Sequence, residues 1–73
     1  MDPDTAFADA MEAFHNEEWE EAREVFNALR YWLLSGGYIP KQIVPQTVGN
    51  HRIAIQTMDT LITACAKSAL EAI

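Results

Sequence analysis

Two side chains in this chain stand at a spacing that metal chemistry uses. Glu12 and His15 form a Glu-x-x-His pair, which on a helix turns a carboxylate and an imidazole to one face, as in the di-iron sites of helical bundles. Such a site needs two of these pairs and further carboxylates, and the 73 residues hold no second Glu-x-x-His. A homodimer would supply one, with Glu18 or Glu21 as additional ligands. The simpler expectation is a polar helix end where His15 caps carbonyls. His51, between Asn50 and Arg52, has no cysteine or acid at ligand spacing and reads as a first-turn surface residue. Cys65 is the only cysteine, so no internal disulfide can form. It falls between Met58, Ile62 and Ala69 on an apolar face, where a thiol packs and reacts poorly. Gly-rich phosphate loops, Ser-centred elbows and zinc spacings are absent. The residues predict no catalytic centre, no metal and no cofactor.

The elements that would position these residues are helices. Pro3 to about His15 reads as the first, with Asp2 as its cap, Pro3 in the first turn and Asp4 as a favourable charge. Phe7, Met11 and Phe14 form its large-residue stripe, with Ala6, Ala10 and Ala13 beside them. Residues 16–35 read as the second. Trp19, Ala22, Phe26, Leu29 and Leu33 recur at spacings of three and four, flanked by Val25 and Trp32. Asn16 is its expected N-cap, and Gly36–Gly37 its stop. Residues 50–72 read as the third, capped by Asn50, with Ile55, Met58, Ile62, Cys65, Ala69 and Ala72 on one face and Ala54 and Leu61 on a shoulder. Its other side carries Ile53, Thr57, Thr60 and Ala64 where a solvated helix would carry charge. Between them, residues 36–49 read as an irregular loop, extended or loosely turned around Pro40 and Pro45. The expectation is an all-α, single-domain chain over residues 1–73: a helical hairpin plus a long C-terminal helix, small enough to gain stability from a second copy.

Residues 6–34 carry a family resemblance. Alanines and an aromatic on the first helix are followed by Glu-Glu-Trp-Glu-Glu-Ala-Arg-Glu-Val-Phe, with Trp19, Ala22 and Phe26 at an aromatic, a small and a second aromatic position. This run resembles one tetratricopeptide-type helical hairpin. Ala6, Asp9 and Ala10 stand where that family has Trp, Leu and Gly, Leu29 stands at its second small position, and Glu17 replaces its usual glycine. The 73 residues hold no second repeat. The resemblance implies an antiparallel packing geometry and a binding role rather than catalysis.

Charge narrows the partners. From Met1 to Glu24 nine acids face one base, Arg23, whereas from Val25 onward four bases face Asp59 and Glu71. An acidic half disfavours nucleic acid, whose binding rests on Lys and Arg at phosphates, and disfavours an anionic membrane surface. The Ile53–Ala66 segment contains Asp59 and is rich in Thr, so it is not expected to span a membrane. The acidic start, Met-Asp-Pro-Asp, is not expected to be a signal peptide, and the default location is the cytoplasm. Tyr31, Leu34 and Tyr38, with Glu20 and Glu24 beside them, have the composition of a contact surface. The alternative is that the loop folds back over the aromatics. The function expected is a non-catalytic protein–protein interaction module, with a homodimer surface at Ile53, Thr57, Thr60 and Ala64. The alternative is an acidic inhibitor that mimics nucleic acid, as phage antagonists do, and blocks a basic site on its target.

Overall fold

The computed structural model describes residues 1–72. Ile73, the last residue of the expected domain, lies outside the described residues. The chain is all-helical: α1 (Pro3–His15), α2 (Trp19–Leu34), a 3₁₀ turn (Lys41–Ile43), a one-turn α3 (Val44–Thr47) and α4 (His51–Glu71). The three long helices match the expected segments to within about three residues. The fourth is a correction to the three-helix reading.

Each long helix starts or stops for a local reason. Asp2 Oδ1 accepts the amides of Asp4 and Thr5 at 3.1 and 3.3 Å, and the Thr5 hydroxyl donates to Oδ2 at 2.8 Å. Pro3 fills the first position, where no amide donor is needed. Asn50 caps α4 by accepting the Ile53 amide at 3.2 Å. Asn16 does not cap α2. It is the C-cap of α1, and the residues after it close that helix: the Glu17 amide donates to Phe14 O and the Glu18 amide to Ala13 O. Those paired bonds use up residues 16–18. α2 therefore begins only at Trp19, with Glu18 as a cap that makes no side-chain bond. The same closure recurs after α2, where the amides of Gly36 and Gly37 donate to Leu33 O and Trp32 O. Gly36 there takes φ +86. Gly37 is required for space, because a Cβ on it would clash with the Trp32 ring.

α2 is the centre of the molecule, packing against α1 and against α4. Both pairs run antiparallel. Phe7 meets Phe26 edge-on at 6.2 Å and Phe14 meets Trp19 at 5.1 Å, so the end of α1 lies beside the start of α2. His51 Nε2 donates to Gly37 O at 2.6 Å, so the end of α2 lies beside the start of α4. The core is Phe7, Ala10 and Ala13 from α1, Ala22, Phe26, Leu29 and Leu33 from α2, and Ala54, Met58 and Cys65 from α4, with Ile39 and Ile43 from the connection. Trp19, Met11, Phe14, Val25 and Trp32 are half-buried at its edge, as are Ile55, Leu61, Ile62 and Ala69, while Ala72 is exposed. The buried line of α4 thus runs through Ala54 rather than Ile55.

The connection is more ordered than the sequence suggests. Pro40 is extended at ψ 132, but Val44 is helical at φ −56, ψ −46 despite preceding Pro45. Pro45 sits in the first turn of α3, where its missing amide hydrogen breaks nothing. Asp4 anchors the segment: its Oδ1 accepts the Lys41 amide at 2.8 Å, and its carbonyl accepts from Gln42 Nε2 at 2.9 Å. One carboxylate therefore serves the first turn of α1 and the start of the 3₁₀ turn.

Candidate functional site

The antiparallel order gives the molecule two unlike ends. At one end lie the start of α1, the end of α2, the connection and the start of α4, joined by the Asp4–Lys41 and His51–Gly37 bonds. At the other lie the end of α1, the start of α2 and the end of α4.

The first end holds the aromatic residues. Tyr31 (66% exposed), Leu34 (54%) and Tyr38 (58%) are uncovered, so the connection does not fold over them. It packs through Ile39, Pro40, Ile43 and Thr47, all buried, and leaves Tyr38, Val44 and Val48 outside. Tyr38 is held rather than loose. Trp32 Nε1 donates to its carbonyl at 2.9 Å, and its ring stands edge-on to Trp32 at 5.7 Å. Six of the eight large hydrophobic side chains exposed among the described residues lie between Tyr31 and Ile53, which concentrates apolar surface at this end. Its charges balance: Asp2, Asp4 and Asp59 against Arg30, Lys41 and Arg52. Arg30 Nε and Asp59 Oδ1 pair at 2.7 Å, locking α2 to α4.

Towards the second end the carboxylates of Asp9, Glu12, Glu17, Glu18, Glu20, Glu21, Glu24 and Glu71 outnumber the cations Arg23 and Lys67. Asp9, Glu12, Glu18 and Glu21, with Ala13 and Val25, line a groove of about 370 Å³ between α1 and α2. Glu20 and Glu24 lie about 16 and 10 Å from Tyr31 along the axis of α2, at 1.5 Å per residue. These carboxylates flank the aromatic end without entering it. A second groove, about 440 Å³ and mostly apolar, is lined by Trp19, Glu20, Arg23, Cys65, Ala66, Ala69 and Leu70. Cys65 lies at its floor, and desolvation pushes the thiol above its ordinary pKa, with Arg23 pulling weakly the other way. The thiol is therefore protonated at neutral pH.

The remaining sequence candidates resolve simply. Glu12 and His15 are exposed, and His15 stacks edge-on beside Phe14. Among the described residues no group of three or more His, Cys, Asp or Glu side chains is placed to hold a metal ion. His51 is exposed in the first turn of α4, as expected, but it bonds to Gly37, which its sequence neighbours did not indicate. On α4, Ile53 and Thr60 are exposed while Thr57 and Ala64 are half-buried. The hydroxyls of Thr57 and Thr60 donate to Ile53 O and Gln56 O of their own helix. No buried side-chain nitrogen or oxygen among the described residues lacks a hydrogen-bond partner. No helix of the described residues is long and apolar enough to cross a membrane. Comparison with known protein families, with curated proteins and with solved structures returned no match.

Proposed function

We propose that this chain is a non-catalytic protein–protein interaction module that works in the cytoplasm, presenting the aromatic end of its hairpin to a protein partner. The observation that carries this reading is the exposure of Tyr31, Leu34 and Tyr38 beside a connection that is itself packed down. Aromatic side chains on a rigid support make contact area at little entropic cost, which is why interfaces are enriched in them. The antiparallel hairpin, with Glu17 in the left-handed conformation where the tetratricopeptide pattern has glycine, fits the use of that hairpin as a binding scaffold. The reading includes a homodimer whose contact takes in the first turns of α4, where Ile53 is exposed.

A second reading has its own observation. The groove lined by Asp9, Glu12, Glu18 and Glu21 suits an acidic inhibitor that occupies a basic site on its target. Salt separates the two, because a charge mimic loses affinity steeply as ionic strength rises and an apolar contact does not. The test is affinity isolation of partners on the immobilised full chain at low and high salt, repeated with Tyr31→Glu. Partners retained at high salt and lost with Tyr31→Glu support the interaction module. Partners retained by Tyr31→Glu and stripped by salt transfer the assignment to the acidic groove.

A further inference from the structure

The groove between the start of α2 and the end of α4 is one continuous surface, since a single volume of about 440 Å³ touches Trp19, Arg23, Cys65 and Leu70. The depression exists because α4 offers only Cys65, Ala66 and Ala69 opposite Trp19, where larger side chains would fill the seam. Leu70, 74% exposed, stands at its edge. Further along, the Arg30–Asp59 pair bridges the same two helices. From that bridge to Trp19 on α2, and to Leu70 on α4, each helix runs about 16 Å at 1.5 Å per residue. Small-molecule sites of similar volume bury most of their ligand, whereas this groove is open to solvent. Its walls are two helices whose backbone groups bond within themselves, so an entering segment must satisfy its own amides and carbonyls. A helix does this and an extended segment does not.

Charge selects the sequence of that helix. Glu20 lines the groove and Glu24 stands one turn further along α2, both exposed. Lys67 does not line it. The chain as a whole carries −6, so a basic partner is drawn in and an acidic one repelled. A second copy does not answer this description. Its bases are Arg23, Arg30, Lys41, Arg52 and Lys67, and no two of them are three or four residues apart, as one flank of a helix requires. We propose that the groove receives an amphipathic helix of about three turns from a partner protein. Its apolar face meets Trp19, Ala69 and Leu70, and its basic flank meets Glu20 and Glu24. The small side chains of the floor allow it a close approach. Arg23 is the one base among the described residues that lines the groove, and it opposes such a partner. Tyr31 lies about 18 Å from Trp19 along α2, so the inference does not rest on the aromatic end.

An amide-resolved NMR titration of the full chain with a synthetic helical peptide of leucine and lysine tests this, beside a twin with glutamate for lysine. The lysine peptide is expected to shift the amides of residues 19–23 and 65–70 and to leave those of Asp9 and Glu12 in place. The glutamate twin should not bind. Ala66→Trp fills the groove from an exposed position, so the fold survives, and it should weaken binding about tenfold or more. Glu20→Gln should weaken it by about two- to fivefold, the worth of one exposed ion pair. Arg23→Gln should tighten it. Tyr31→Glu should leave it unchanged. Equal binding of the two peptides, or binding of neither, overturns the inference. So do shifts centred on Asp9, Glu12, Glu18 and Glu21, or an affinity untouched by Ala66→Trp. Each of these failures leaves the reading of the aromatic end standing, because that reading is tested by Tyr31→Glu against retained partners.

Discussion

Glu17 sets the geometry of the hairpin at a local expense. It closes α1 at φ 60, a conformation that brings the Cβ of an L-residue close to its own carbonyl. Glu17→Gly removes that clash, offset in part by the greater flexibility of glycine in the unfolded chain. It is expected to raise stability by about 1 kcal/mol, read as a higher urea midpoint with unchanged slope. Gly37 is the opposite case. Gly37→Ala drives a methyl into the Trp32 ring, and the ring can move only by giving up its bond to Tyr38 O. Overpacking of this kind costs about 1–3 kcal/mol, and the Trp fluorescence of the native state should change with it. Cys65 gives a pH dependence. Its folded-state pKa lies above the ordinary 9.0, so the folded chain keeps a proton that the unfolded chain releases. That contribution is intact below pH 9 and lost as pH rises above it. Native Cys65 should react slowly with a thiol reagent at neutral pH and quickly after denaturation. Fast native labelling would contradict its burial.

At the scale of elements, most stability rests on the face of α2. Phe26 is fully buried between α1 and α4 and meets the Phe7 ring. Phe26→Ala should cost about 3–5 kcal/mol through lost burial and a residual cavity, which unfolds or nearly unfolds a domain stabilised by roughly 5 kcal/mol. A variant that melts with the parent would remove Phe26 from the core. The three long helices were legible in the sequence because their apolar period and their caps agree: Asp2 with Pro3, Asn50, and Gly36 with its following glycine. The start of α2 was not. Asn16 has the chemistry of an N-cap, but the two amides after it turn back to Ala13 and Phe14, a competition that composition does not reveal. The 3₁₀ turn and α3 were hidden because Pro45 reads as a helix breaker, whereas in a first turn it is harmless. Asp4 explains the rest, since a contact to a residue 37 positions away leaves no periodic trace.

At the scale of the molecule, the acidic first half was visible in the sequence, but its meaning depends on the fold. The antiparallel order gathers eight carboxylates with two cations towards one end and leaves most of the exposed apolar residues at the other. The aromatic residues were singled out by type, and Val48 was missed because its left-handed backbone belongs to the turn between α3 and α4. The central claim is that association happens at the apolar end. The most direct measurement is an amide-resolved NMR dilution series of the full chain at physiological salt. Resonances between Tyr31 and Ile53 should shift with concentration, while those between Asp9 and Glu24 stay fixed. Spectra independent of concentration, or shifts confined to the acidic end, would contradict it.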